Sequence, residues 1–215
     1  MELWEFVTSF GDAGLMVPTA IIIGVWLYIA QGRGAALLWL GLFSAAGLLV
    51  IATKVAFLGF GLGSRRFDFT GISGHAMMSM AVFPVTLQLM GGTRRPAKRW
   101  LLLPLGIVLA AVIGVSRVQI GVHSVSEVVI GIVVGGSVAL FFSLTAKLPA
   151  ERMKTVPVIS AVLLAVFLAG YGRPAPSQDM ITRLALAVSG RSTPYTKTEW
   201  WIEGLRKTEP RQRAL

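Results

Sequence analysis

The chain has 215 residues, of which 54% are hydrophobic and only 14% are charged. Soluble domains usually carry about 25% charged residues, and apolar runs of ~20 residues, long enough to cross a bilayer, recur along this sequence, which excludes a soluble protein with a large core. The absence of cysteine excludes disulfides and cysteine-based zinc sites, and the net charge of +10 indicates membrane orientation or anionic headgroups rather than nucleic acid, because the basic residues lie in predicted loops and the tail.

The apolar runs predict helices throughout the chain. Residues 1–12 are expected to form a short helix in the membrane interface, with Trp4 and Phe6 as anchors. Six transmembrane helices are predicted at 15–30, 35–60, 73–90, 100–118, 125–146 and 156–171. No repeat or low-complexity linker divides the sequence. We therefore predict an all-α fold, a polytopic membrane helix bundle of about six transmembrane helices in one domain, 1–215.

Basic residues fix the predicted orientation of this bundle. They cluster in the loops after the first, third and fifth predicted spans: Arg33, Arg94, Arg95, Lys98, Arg99, Lys147, Arg152 and Lys154. The positive-inside rule places these loops in the cytoplasm. The loops at 61–72 and 119–123 then face outward, which predicts a bacterial inner membrane protein with the periplasm on that side.

The polar tail, 172–215, is net basic although six spans place it outside. Two interpretations are open. Residues 177–190 form an amphipathic surface helix on the outer face, or the sixth apolar segment does not cross the membrane. Inside the spans, Gly131 and Gly135 form a small-xxx-small step that predicts close helix packing.

Most of the unusual polar residues fall at the outward ends of spans two to five. Burying a charge in a membrane helix costs ~2.5–3.5 kcal/mol on insertion scales, so such residues are usually paired and functional. The set that stands out consists of Lys54, Arg65, Arg66, Asp68, Ser73, Gly74, His75, Ser116, Arg117, His123 and Glu127. Taken singly, Lys54 would be a snorkelling lysine and His123 with Glu127 a structural pair at spacing i, i+4.

Two stretches of this set resemble signatures of the type 2 phosphatidic acid phosphatase superfamily. The run from Ser116 to Glu127 is similar to the third signature, Ser-Arg, five residues, His, three residues, Asp. Ser73, Gly74 and His75 resemble the second signature, Pro-Ser-Gly-His, and Lys54 resembles the lysine of the first. The resemblance covers roughly residues 50–130.

Three positions differ from that family pattern. Glu127 stands where the family has aspartate, and Ile72 replaces the proline before Ser-Gly-His. The first signature expects Arg-Pro after Lys54 and six further residues, where this chain has Gly61; the nearest arginines are Arg65 and Arg66. Which of these two arginines binds phosphate stays open.

The residue types suit phosphate chemistry. Arg117 offers a bidentate fork and Lys54 a compact charge. The backbone N–H groups of Ser73, Gly74 and His75 begin a predicted helix and would point at an anion. The resemblance implies that His123 is the nucleophile, that Glu127 orients it and that His75 is the general acid and base. Together His75, His123 and Glu127 could be taken for a metal triad, but the surrounding cations favour phosphate, so we predict neither a metal nor a cofactor.

A site at the rim of the bilayer favours a phosphorylated lipid as substrate. Undecaprenyl diphosphate, phosphatidylglycerol phosphate, phosphatidic acid and lipid A are the candidates, with undecaprenyl diphosphate or a broad lipid phosphatase preferred. Two alternatives share the site: a lipid phosphotransferase, and a non-catalytic lipid-phosphate binding or transport protein. Vanadate-dependent peroxidases have the same motif geometry, but they are soluble.

Overall fold

A computed structural model describes residues 2–90, 96–146 and 175–212, with the backbone alone described at 96–99 and 205–212. The described residues form eight α-helices: α1 Glu2–Ser9, α2 Ala13–Gln31, α3 Arg33–Phe60, α4 Gly74–Met90, α5 Pro96–Gln119, α6 Val125–Thr145, α7 Ser177–Ser189 and α8 Lys197–Gln212. The all-α prediction is confirmed. The first five predicted spans correspond to α2–α6; the sixth, at 156–171, lies outside the described residues, as do most of the basic side chains of the predicted cytoplasmic loops.

Four described helical stretches are long and apolar enough to cross a membrane: Glu2–Gln31, Arg33–Phe60, Trp100–Gln119 and Val125–Thr145. Large apolar side chains lie exposed on these helices. Leu48, Leu101 and Leu144, one from each of α3, α5 and α6, are 66%, 73% and 66% exposed. A helix that is apolar all round and only partly covered by protein is typical of a membrane span. The chain is a multi-pass membrane protein.

The central helix is α4, which packs against α2, α3, α5 and α6. It has 17 residues, at the lower end of the roughly 17–25 residues that span a bilayer. Glycines let its neighbours approach. A Cβ atom on Gly131 of α6 would lie 2.8 Å from the Ser73 carbonyl oxygen, and one on Gly106 of α5 would lie 2.5 Å from Pro84 Cα. The predicted close packing at Gly131 and Gly135 is confirmed.

The loop between α3 and α4 is ordered by its own turns. Gly61 ends α3 in a left-handed conformation, with φ of 66°, which glycine adopts without a steric penalty. A short 3-10 turn, Arg65–Phe67, follows, and a bridge between Ser64 and Phe69 closes it. The loop thus folds back over the ends of the helices and places Thr70 and Ser73 against Glu127 of α6.

The N-terminal helix α1 and the tail helix α7 both lie at the end of the bundle that carries the α3–α4 loop. Helix α1 packs on α5, and α7 packs on α3. The N–H of Ala175, just before α7, donates to Asp12, just before α2. The predicted helix at 177–190 is therefore present as α7, at the end of the bundle that carries the α3–α4 loop, while its place on the outer membrane surface stays a prediction.

Candidate active site

Helix α6 begins with a capping box that also fixes a histidine. The Ser124 hydroxyl accepts from the Glu127 N–H, and the Glu127 carboxylate accepts from the Ser124 N–H. The same carboxylate oxygen, Oε2, lies 2.6 Å from His123 Nδ1. A carboxylate can only accept hydrogen bonds, so Nδ1 carries the proton and Nε2 keeps its lone pair. His123 is thus held in the tautomer that makes Nε2 nucleophilic.

Thr70 completes the environment of Glu127. Its N–H and its hydroxyl both donate to Glu127 Oε1, at 2.7 and 2.6 Å. Glu127 is only 2% exposed, and both its oxygens are occupied. The sequence reasoning missed Thr70, because no spacing rule connects this loop residue with a carboxylate 57 positions later.

The start of α4 lies directly against this pair. The Ser73 N–H donates to the Glu127 carbonyl oxygen at 3.2 Å, and the Ile72 N–H donates to Thr53 Oγ1 at 3.1 Å. The Ser73 hydroxyl is buried and has no hydrogen-bond partner among the described residues. Gly74 leaves space above it, since a Cβ there would meet nothing closer than Val50 at 3.6 Å. The Ser73 N–H, which was predicted to point at an anion, is thus already paired, and the Ser73 hydroxyl is a donor of this first turn that an anion could still accept from.

Two cations complete the cluster from neighbouring helices. Lys54 of α3 and Arg117 of α5 lie close enough to His75 and His123 to interact electrostatically with both. Lys54 Nζ also donates to Gln178 Oε1 of α7 at 2.9 Å. The Arg117 guanidinium donates to the Thr8 hydroxyl at 2.9 Å, while its Nε is buried without a hydrogen-bond partner among the described residues.

The two candidate arginines of the α3–α4 loop are placed differently. Arg65 donates twice to the Trp200 carbonyl oxygen, at 3.2 and 2.7 Å, and stacks over the Trp200 ring at 4.7 Å. Arg66 is exposed and lies 5.5 Å from the Phe67 ring. Arg65 therefore anchors the tail helix α8, and the phosphate-binding role predicted for either arginine stays a prediction.

The protonation of His123 follows from its surroundings. Burial lowers the pKa of His123 below its ordinary value of 6.5, although the hydrogen bond to the Glu127 carboxylate opposes this shift. The positive charges of nearby Lys54 and Arg117 also lower the pKa of His123. The neutral imidazole, which is the nucleophilic form, therefore dominates at neutral pH.

Asp12 is a second residue that the sequence reasoning did not select. Its carboxylate caps α2 by accepting from the Gly14 N–H at 2.7 Å, and its Oδ2 lies 3.8 Å from His75 Nε2. The N-cap role was visible in the sequence, since Asp12 directly precedes an apolar helix. Its contact with His75 depends on the packing of α2 against α4 and was not visible. Within the described ranges, no three His, Asp or Glu side chains form a group that could hold a metal ion.

Comparison with known proteins identifies the family of the chain. The model of the PAP2 superfamily matches residues 56–149, a range that contains the α4 start and the whole Arg117–Glu127 segment. An uncharacterized 22.5 kDa protein in the cps region of Klebsiella pneumoniae is 35% identical over 201 residues, covering 91% of this chain and 96% of that protein. No solved structure matches the chain. The signatures and this match lead to one assignment: the chain belongs to the PAP2 superfamily.

Proposed function

We propose that this protein is a metal-independent phosphatase of membrane lipids, which hydrolyses a phosphomonoester or a pyrophosphate through a phosphohistidine on His123. Proteins of the PAP2 superfamily are generally phosphatases, so a phosphorylated substrate follows from the family. The observation that carries the finer proposal is the His123–Glu127 pair, which lies beside Lys54, Arg117 and His75 at the ends of membrane helices.

In the first step, His123 Nε2 attacks phosphorus. The new P–N bond forms as the P–O bond to the lipid breaks, and the electron pair of that bond stays on the leaving oxygen. Glu127 stabilises the positive charge that develops on the imidazole, as carboxylate partners of catalytic histidines do. Lys54 and Arg117, with the Ser73 hydroxyl and the N–H groups of Gly74 and His75, would hold the equatorial oxygens.

His75 acts on the other side of the phosphorus in this proposal. As an imidazolium it gives a proton to the leaving oxygen, and as a neutral base it takes one from the water that attacks the phosphohistidine. The second step breaks the P–N bond, returns its electron pair to His123 and releases inorganic phosphate. One histidine forms the covalent bond while the other moves protons.

The position of the cluster supports a lipid substrate. Lys54, Arg117 and His123 lie at the same ends of helices whose outward faces carry exposed leucine and valine, so a lipid can present its headgroup with its chains still in the bilayer. Undecaprenyl diphosphate, phosphatidic acid and phosphatidylglycerol phosphate all fit this description. We propose that the site faces the periplasm of a bacterial inner membrane.

A donor lipid with radiolabelled phosphate tests this function. Purified protein in detergent, with chelator present, is expected to release the label as inorganic phosphate from at least one lipid mono- or diphosphate. Label that moves to a second lipid would instead identify a phosphotransferase. Label that stays on the donor, in the presence of well-folded and lipid-binding protein, would favour a binding or transport protein.

A further inference from the structure

His75 lies among positive charges. Lys54 and Arg117 both interact with it, and so does the second imidazole, His123. An imidazolium next to two cations is unfavourable, since like charges within a few ångströms repel in a weakly polar environment. A general acid at this position therefore needs a negative charge beside it.

Asp12 is the carboxylate placed to supply that charge. Its Oδ2 lies 3.8 Å from His75 Nε2, and the two side chains are 17% and 22% exposed, respectively. The other nearby carboxylate, Glu127, is bonded to His123, Thr70 and Ser124. Among the described side chains, Asp12 is the acidic residue within 4.0 Å of His75.

The carboxylate of Asp12 is fixed in its orientation. Oδ1 accepts from the Gly14 N–H at 2.7 Å and from the Ala175 N–H at 3.0 Å. With Oδ1 held by two backbone donors, Oδ2 is directed toward His75. Asp12 also interacts with Arg117, so the single carboxylate balances charge on both the proton donor and the phosphate-binding arginine.

We propose that Asp12 is a positioning residue for the reaction, which holds the His75 imidazolium in place and thereby allows it to protonate the leaving lipid oxygen. This inference rests on the proposed function. As the P–O bond breaks, the proton passes from His75 to the alkoxide, and His75 is left neutral beside Asp12. When water attacks the phosphohistidine, His75 regains a proton from that water, and Asp12 again stabilises the imidazolium.

If Asp12 only capped α2, a variant that keeps the cap but lacks the charge would retain full activity. Asp12→Asn is such a variant and therefore separates the structural role from the proposed role in proton transfer. Asparagine caps helices about as well as aspartate, and its side-chain oxygen can still accept from Gly14 and Ala175. The substitution removes only the charge. Asp179→Asn, which removes an exposed carboxylate from the first turn of α7, is the matched control.

The readout is the dependence on the leaving group. Phosphatidic acid has an alkoxide leaving oxygen that needs a proton, whereas p-nitrophenyl phosphate has a stable phenolate that does not. Asp12→Asn is expected to lower kcat/KM for phosphatidic acid, which reports the steps up to formation of the phosphohistidine, by on the order of ten- to a hundredfold, part of the ~10²–10⁴-fold that general acid–base catalysis contributes. It should change kcat/KM for p-nitrophenyl phosphate by less than about threefold, because the later attack of water, which both substrates share, does not enter kcat/KM. His75→Asn should show the same selectivity, and the double variant should be no worse than His75→Asn.

Equal losses on both substrates, or no loss on either, would overturn the role of Asp12. If Asp12→Asn does not fold, Asp12→Ser keeps a capping oxygen and gives the same comparison. The proposed function is judged separately, by whether His123→Ala abolishes release in the same assay. Wild-type protein that releases phosphate from no lipid mono- or diphosphate would contradict both proposals, whereas wild type that is active on another lipid monophosphate would replace phosphatidic acid in this comparison.

Discussion

One methylene group separates Glu127 from the aspartate of the family pattern, and the loop before α4 accommodates that difference. Thr70 brings two donors to Oε1, while His123 and Ser124 bind Oε2. The longer side chain spans from the start of α6 to this loop. The local geometry is therefore built for glutamate.

We predict that Glu127→Asp lowers kcat although it restores the family residue. The shorter side chain cannot keep Thr70 and His123 together, and the loss of one or two hydrogen bonds of about 1 kcal/mol each corresponds to roughly a five- to thirtyfold slower reaction. Steady-state kinetics measures this, with Glu127→Gln as a more severe reference and the melting temperature as the control for folding. An aspartate variant as fast as the wild type would show that Thr70 does not position the pair.

The pH dependence of the reaction should reflect the lowered pKa of His123. The protonated imidazole cannot attack, so activity is lost as the pH falls through the pKa of His123, and burial places that pKa below 6.5. We predict that the acidic limb of kcat/KM, which reports the free enzyme, has its midpoint below 6.5 after correction for the ionisation of the substrate. A midpoint above 6.5 would mean that the nucleophile is not held neutral as described.

Single-residue roles could be predicted from the sequence only where a spacing carried them. His123 and Glu127 are four residues apart, and this i, i+4 spacing made their pairing predictable, although His123 lies in the loop just before α6. Thr70 and Asp12 reach the site from a loop and from a helix end, and their contacts depend on how distant segments pack. Arg65 illustrates the same limit, since its partner Trp200 lies 135 residues away.

The positions of the helices could be predicted more closely than the contacts of single residues. The ends of α3, α4 and α6 fall within two residues of the predicted spans, because lipid requires long apolar runs and the polar site residues interrupt them. Side chains of α6 that face the core recur with helical spacing: Glu127, Val128, Gly131, Gly135, Val138, Ala139, Phe142 and Ser143. The same face that carries Glu127 at its start therefore packs on α4 along its length.

The glycines on this face should control the site through helix position. We predict that Gly131→Ala reduces both stability and activity, because its Cβ would lie 2.8 Å from the Ser73 carbonyl oxygen and force α6 away from the start of α4. Overpacking of this kind costs about 1–3 kcal/mol. The midpoint temperature of thermal unfolding in detergent and the rate of phosphate release should both be lower than in the wild type.

Gly136→Ala provides the control on the same helix. A Cβ there would meet only Met80 Cγ, at 3.6 Å, which is an ordinary contact. We expect this variant to retain the stability and activity of the wild type. Equal effects of the two substitutions would show that helix propensity, rather than the α4–α6 contact, explains the result.

At the scale of the whole molecule, the N-terminal segment and the tail meet at the site. Asp12 binds Ala175, Lys54 binds Gln178, and Lys197 forms an ion pair with Asp68 at 2.6 Å. A count of six spans predicted that the tail and the site share one side of the membrane, although the basic charge of the tail and the alternative that the sixth segment does not cross spoke against it. The sequence could not predict that the tail is bound to the helices and loop of the candidate site, because the tail sequence has no motif for such contacts.

The cysteine-free sequence allows a direct test of orientation. Ser192→Cys lies in the exposed turn after α7, and Gly34→Cys lies at the exposed α2–α3 turn, on the opposite side of the bundle. In intact spheroplasts, a membrane-impermeant thiol reagent should label Ser192→Cys and should label Gly34→Cys only after lysis. The reverse pattern would place the site in the cytoplasm.

The most direct test of the central claim is to identify the covalent intermediate. Protein that is turning over a lipid with radiolabelled phosphate is denatured rapidly in alkali, where phosphohistidine survives, and the labelled peptide is sequenced by mass spectrometry. We predict label on the peptide that contains His123, chelator-resistant and absent from His123→Ala. Rapid phosphate release with no label on His123, or label that persists in His123→Ala, would contradict the mechanism.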